Sequence, residues 1–333
     1  GSVTTATGGI WTTGGSGIFA DSSVLTTKYT PSAADTATGS VTLLLTTTGN
    51  GNCAAVSDAM TVTISDAPTV NAGTDMSICA DSASVGVTGT VTIATGGSWS
   101  TSGSGTYAVP TALSTTYSPS AADTAAGFIT LTLTSTGNGS CLAVSDALGL
   151  TITKVPVVNA GVDQTVCANN AVATLTGSVI TATGGIWTTM GSGYFADSSA
   201  LTTTYTPSVA DTSAGSVIII LTTTGNGSCN AVSDTMTLVI SDAPTANAGV
   251  DQTKCANNSV VILSGTVTVA TGGSWLTMGS GSFGNPLLLS TAYTPSPADI
   301  AGGTVTLVLT STGNGSCAAV TDTMIVTITP SPT

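Results

Sequence analysis

The side chains in this sequence that can do chemistry are cysteines, aspartates and tryptophans, and each kind recurs on one fixed step. Cys53, Cys141, Cys229 and Cys317 lie 88 residues apart, and Cys79, Cys167 and Cys255 form a second series on the same step. Trp11, Trp99, Trp187 and Trp275 keep it too, as do Asp35, Asp123 and Asp211. Histidine, arginine and glutamate are absent, and all sixteen acidic residues are aspartate. A nucleophilic triad therefore lacks its base. A carboxylate pair for glycoside hydrolysis would have to be copied with every unit. No catalytic residue is expected.

The thiols are read as disulfides. Zinc is a poor alternative, because each unit offers two isolated cysteines with no histidine and no CxxC. Pairing within a unit joins Cys79 to Cys141, Cys167 to Cys229 and Cys255 to Cys317, each 62 residues apart. Domains with modest cores are commonly stapled in this way, and a loop of that length contributes about 4 kcal/mol in the chain-entropy model. Cys53 is then left over, with its partner before residue 1, outside the chain. The rival pairing joins Cys53 to Cys79 across a unit boundary and leaves Cys317 single. Either one implies an oxidising, extracytoplasmic compartment.

No cofactor is expected, and calcium is the one metal with candidate ligands. Asp66 and Asp75 flank the first complete joint, where oxygen-rich side chains can hold Ca²⁺. Against this, Lys154 stands where the other joints carry Asp66 and Asp242, and no DxDxDG loop occurs. A net charge of −13 with no basic run excludes nucleic acid and anionic lipid as partners. The longest apolar run, residues 217–221, is far too short to span a bilayer, so no membrane insertion is expected.

Elements must carry these residues on the same step. SVTLLLTTTGNGNCAAVSDAMTVTI begins at Ser40 and returns at Phe128, Ser216 and Thr304. Ile129, Leu131 and Leu133 alternate with Thr130, Thr132 and Thr134, the period of a half-buried strand. Gly137, Asn138 and Gly139 then turn the chain, and Leu148, Leu150 and Ile152 form the apolar face of the returning strand. A preceding strand is expected through Val85, Val87, Val91 and Ile93 in one unit and through Val260, Ile262, Val267 and Val269 in another.

Trp11, Trp99, Trp187 and Trp275 are read as core anchors between two sheets, with exposed sugar-stacking tryptophans as the alternative. Each later strand ends near Tyr29, Tyr117, Tyr205 or Tyr293, and Asp35, Asp123 and Asp211 cap a single helical turn. Short β-runs broken by Gly, Asn and Pro predict an all-β fold: tandem Ig-like β-sandwich domains in an extended rod, with about seven strands per 88-residue repeat. Pro68, Pro156 and Pro244 mark the joints. The expected domains are 1–67, truncated at its start, then 68–155, 156–243 and 244–333.

The combination of PTxNAGxDxxxC, ATGGxWxTxGSG, YTPSxAD and TxTGNGxCxAVSD resembles the tandem Ig-like or PKD-like repeats of giant cell-surface adhesins of the Bacteroidota, including the mobile gliding adhesins of flavobacteria. It covers the whole chain in four copies. The resemblance implies type IX secretion, an extracellular cell-surface location and a role in adhesion, gliding or filament formation. It also implies O-glycans at Asp-Ser/Thr sites, for which Thr36, Ser82, Thr124, Thr235 and Thr323 are the candidates.

The expected function is a non-catalytic stalk or filament shaft that projects an adhesive tip. Its expected partners are other repeats of the same long chain, with external surfaces or glycans met by domains beyond these residues. Lateral self-association is a further expectation, because Leu44, Thr132, Ile218, Ile220 and Val308 occupy the outer positions of the strand before GNG. The alternatives are carbohydrate-binding modules of a secreted enzyme and a self-assembling sheath subunit.

Overall fold

The computed structural model describes residues 1–332. The chain divides into two compact units, Gly1–Lys154 and Val155–Thr333. Residues 156–243 of the second unit show how each stretch is built.

Ser216–Thr224 and Ser233–Ser241 form the central antiparallel pair, with Ser216 opposite Val239 and Thr222 opposite Ser233. Gly184–Thr189 joins on one side, antiparallel. On the other side Gln164–Cys167 runs parallel to the returning strand, with Gln164 opposite Leu238 and Cys167 opposite Ser241. A second sheet of Ala173–Thr176, Thr202–Thr206 and Tyr194–Phe195 faces this one. Val157–Asn159 pairs with Ser178–Ile180 alongside. Apart from this short pair, the repeat has the seven strands expected of its Ig-like β-sandwich.

Alternation puts Val217, Ile219 and Leu221 of one strand and Met236, Leu238 and Ile240 of the other into the core, all buried. Ala173, Leu175, Trp187 and Tyr205 close it from the facing sheet. Each large apolar side chain removed from water contributes about 1.5–3 kcal/mol. Equivalent cores occur over residues 72–152 and 248–328. In residues 1–67 the central pair and the tryptophan strand make a three-stranded sheet without a parallel edge strand.

GNG turns the chain into the expected antiparallel hairpin at the head of a longer loop: the strands part after Thr224 and rejoin at Ser233, so Gly225-Asn226-Gly227 opens a loop that carries Cys229. Two local details depart from the sequence reading. The preceding strand ends at Thr92, and the Ile93 expected within it sits at φ 65°, like Thr181 and Val269 in the other repeats. In residues 244–333 the inward positions are Val261 and Leu263, whereas Val260 and Ile262 are exposed. Val261 pairs with Tyr293 as Val85 pairs with Tyr117, and with a period of two a one-residue slip reverses the faces.

The segment between Tyr205 and the central hairpin folds as a six-residue helix, Val209–Ala214. Ser208 and Asp211 form a reciprocal capping box, and Gly215 ends the helix at φ 77°, a conformation that glycine adopts without a Cβ penalty.

Candidate functional site: the bridged joint and the buried aspartate

Cys167 ends the parallel edge strand, and this places it at the far end of the sheet from Cys229. Cys167 sits opposite Ser241, whereas Cys229 lies in the loop before Ser233, at the other end of the same nine-residue strand. At about 3.4 Å per residue these ends are roughly 27 Å apart, far beyond the ~4.4–6.8 Å between Cα atoms that a disulfide spans.

Cys167 is bonded to Cys317 of the following repeat, with an S–S distance of 2.08 Å, Cα atoms 4.9 Å apart and a sequence separation of 150. Within-unit pairing is therefore corrected: Cys167–Cys229 and Cys255–Cys317 do not form. Cys53, Cys141 and Cys255 are free thiols, so Cys79–Cys141 and the rival Cys53–Cys79 do not form either. Cys79 and Cys229 are not free.

Hydrogen bonds seat the bridge. Asn169 Nδ2 donates to the Ala318 carbonyl at 3.0 Å, and its Oδ1 accepts from the Ala318 N–H at 3.2 Å. Asn170 Nδ2 donates to the Ser316 carbonyl at 3.2 Å. The Asp242 carbonyl oxygen lies 3.6 Å from Cys167 Sγ and 3.5 Å from Cys317 Sγ. The hairpin loop of one repeat is thus clasped by the turn after the edge strand of the preceding one. Sequence reasoning missed Asn169 and Asn170, although CANN recurs at residues 255–258 and marked the turn.

The second constellation is a buried carboxylate. Asp211 Oδ1 accepts from the Ser192 N–H at 3.0 Å, and Oδ2 accepts from the Gly193 N–H at 2.8 Å, the Tyr205 hydroxyl at 2.9 Å and the Ser208 N–H at 2.9 Å. Gly193 approaches so closely that a Cβ there would collide with the Tyr205 hydroxyl. Tyr205 is fully buried. Helix, turn and strand are thereby tied at one carboxylate, and the arrangement recurs at Asp35, Asp123 and Asp299. Its acceptor sites are taken up by internal donors, which suits it to holding the fold together.

Burial alone would raise the Asp211 carboxyl, but hydrogen bonds led by the Ser208 and Ser192 N–H groups outweigh it and hold the pKa at about 2. Asp123 and Asp299 are likewise lowered to about 2. Tyr205 is raised, first by burial and then through its bond to Asp211. A carboxyl lowered in the folded state stabilises above its unfolded pKa of about 3.9, and that contribution is lost as pH falls towards 2. A tyrosine raised in the folded state stabilises below about pH 10 and loses its contribution as pH climbs through the folded value. Melting temperature followed by circular dichroism is expected to hold level between about pH 5 and 9 and to fall on both sides.

Asp75 and Asp66 do not act together. Asp75 Oδ1 accepts from the Gly149 N–H at 2.8 Å, a bond repeated by Asp163 with Thr237 and by Asp251 with Ile325. Asp66 is exposed, and its carbonyl lies 3.4 Å from Cys141 Sγ. Among the described residues no three His, Cys, Asp or Glu side chains gather as a metal site.

Trp99, Trp187 and Trp275 are enclosed at 3%, 1% and 3% exposure, and Trp11 is half-buried. The Trp187 indole N–H donates to the Ala200 carbonyl at 3.0 Å, and its ring stacks on Phe195 with centroids 6.5 Å apart. Of the hydroxyls expected to carry glycans, Thr36, Thr235 and Thr323 belong to exposed residues, and Ser82 and Thr124 to half-buried ones. Thr36 and Thr124 bond back to the Ser32 and Ser120 carbonyls within their helices. Leu44, Thr132, Ile220 and Val308 are half-buried on the outer sheet face, and Ile218 is exposed.

A scan of protein-family models finds no match, and a search of curated proteins finds none either. Among solved structures, the chain is similar to an I-band fragment of titin, with 15% identity, a TM-score of 0.45, and coverage of 80% of this chain and 100% of that one. It is also similar to immunoglobulin domains 1–5 of Sidekick-1, with 14% identity, a TM-score of 0.39, and coverage of 97% and 74%. Mouse cadherin-23 EC22–24 matches at 11% identity with a TM-score of 0.36, over 80% of this chain and 100% of that one.

Proposed function

We propose that these residues are a non-catalytic structural repeat region, the stalk or filament shaft of a large secreted bacterial adhesin. On this reading the domains are 1–67, 68–155, 156–243 and 244–333, displayed outside the cell by a gliding or adhesion system of the type IX-secreting Bacteroidota. The observation that carries the reading is the Cys167–Cys317 bond, which covalently joins one repeat to the next instead of reinforcing either alone. A shaft under tension needs its joints held, whereas a set of independent binding modules gains nothing from such a link. A disulfide also favours an oxidising location.

Exposed hydroxyls at Thr36, Thr235 and Thr323 are the accessible positions for O-glycans, and Ile218 and its half-buried neighbours would serve lateral packing between shafts. The carbohydrate-module alternative calls for an exposed indole face, which Trp99, Trp187 and Trp275 do not offer. Immunogold electron microscopy on intact producing cells, with an antibody raised against the folded chain, tests the proposal. Label along thin fibres far from the envelope is the expected result; label confined to the culture fluid would overturn it.

A further inference from the structure

The free thiols are not scattered: Cys255 occupies the edge-strand half of the joint seen at Cys167–Cys317, and Cys53 and Cys141 occupy the hairpin half, but only Cys53 is exposed, whereas Cys141 is partly covered with its Sγ 3.4 Å from the Asp66 carbonyl. Cys255 ends its edge strand with its Sγ 3.9 Å from the Pro330 carbonyl, the counterpart of Cys167 against the Asp242 carbonyl. The turn after it has the same form, with the Asn258 N–H donating to the Cys255 carbonyl at 2.8 Å as Asn170 donates to Cys167 at 3.0 Å. Asn257 and Asn258 stand where Asn169 and Asn170 clasp a hairpin loop, and both are exposed. Cys255 is itself partly uncovered, whereas the bonded Cys167 is fully buried.

The complementary half is equally formed. Cys53 is exposed in a GNGNC loop whose Cys53 N–H donates to the Asn50 carbonyl at 3.1 Å, and the bonded Cys317 donates to Asn314 at 3.0 Å in GNGSC. What the clasp recognises there is backbone: the Ala318 N–H and carbonyl and the Ser316 carbonyl. Ala54 and Asn52 supply the same atoms beside Cys53.

We propose that Cys255, Asn257 and Asn258 form a docking site for the cysteine-bearing hairpin of another repeat of this type, closed by a disulfide, and that a second copy of this chain fills it through Cys53. This inference does not depend on the chain being an adhesin shaft. The reaction needs a two-electron oxidant, for which a small-molecule disulfide suffices. The Cys255 thiolate attacks it, forms a mixed disulfide and releases one thiolate. The Cys53 thiolate then displaces the second, leaving one protein disulfide and two equivalents of small thiol. The surfaces joined are different on the two copies, so the contact is head-to-tail and leaves both ends of the product competent to add another chain.

The test incubates the 333-residue chain, with its three free thiols intact, in mixtures of oxidised and reduced glutathione. Products are read by non-reducing electrophoresis and by mass spectrometry of the linked peptides. The expected result is a ladder at multiples of 32.1 kDa, with Cys255–Cys53 as the dominant new linkage. Cys255→Ser and Cys53→Ser should each abolish the ladder, and Cys141→Ser should leave it intact. Asn257→Ala with Asn258→Ala, which keeps both thiols, should slow ladder formation about tenfold, as expected for the loss of about three modest hydrogen bonds at the clasp. No ladder, a mixture dominated by Cys53–Cys53 or Cys141 linkages, or an unaltered rate in the asparagine variant would each overturn the proposal.

Discussion

Pulled apart between handles at Pro156 and Ser331 in the full chain, the oxidised protein is expected to extend to only about 90 Å, against roughly 600 Å after reduction, at about 3.5 Å per residue. Cys167–Cys317 carries the load past everything between the two cysteines, so the residues of the enclosed loop stay out of the force path even when both sandwiches unfold. Pairing within each repeat would leave the stretch from Cys229 to Cys255 in that path and give about 180 Å instead. The chain-entropy model adds about 5 kcal/mol of stabilisation for a loop of this length. Single-molecule force spectroscopy in buffer and in dithiothreitol reads the difference directly.

Asp211→Ala is expected to be the most damaging single substitution in its repeat, at about 3–5 kcal/mol, because it leaves several buried donors without an acceptor. The Ser192, Gly193 and Ser208 N–H groups and the Tyr205 hydroxyl all converge on that carboxylate. Asp211→Asn keeps the shape but turns an amide N–H₂ towards donors, so it should recover little. Tyr205→Phe removes one donor along with its own bond and should cost less, about 1–2 kcal/mol. Urea unfolding of the three variants, compared at constant m-value, gives the ranking. A domain is stabilised by only about 5–15 kcal/mol in total, so the alanine variant should approach unfolding of that repeat at room temperature.

Period-two alternation was enough to read the central hairpin and its buried face, because residues such as Ile219 and Leu221 have no other way to leave water. The capping role of Asp211 was legible from Asp-Thr in a loop after Pro, but its reciprocal bond with Ser208 and its bonds to Tyr205 and to the Gly-Ser-Gly turn were not, since they depend on how the segments fold together. The disulfides were misread for a related reason. The tendency of domains with modest cores to be stapled internally favoured Cys167 with Cys229, whereas the parallel pairing of Gln164–Cys167 with Ser233–Ser241 puts these cysteines at opposite ends of one sheet. Parallel edge pairing leaves no turn signal, and so the local sequence was silent about the residue that decides the joint. In residues 244–333 the adjacent apolar residues Val260, Val261, Ile262 and Leu263 allowed either face, and pairing with Tyr293 chose between them.

The most direct test of the account is peptide mapping of the purified chain under non-reducing conditions, with free thiols alkylated at acid pH before digestion. A linked peptide containing Cys167 and Cys317, with Cys53, Cys141 and Cys255 alkylated, is the expected result. Linked peptides joining Cys167 to Cys229 and Cys255 to Cys317 would contradict it and would return each repeat to the status of a separately stapled domain.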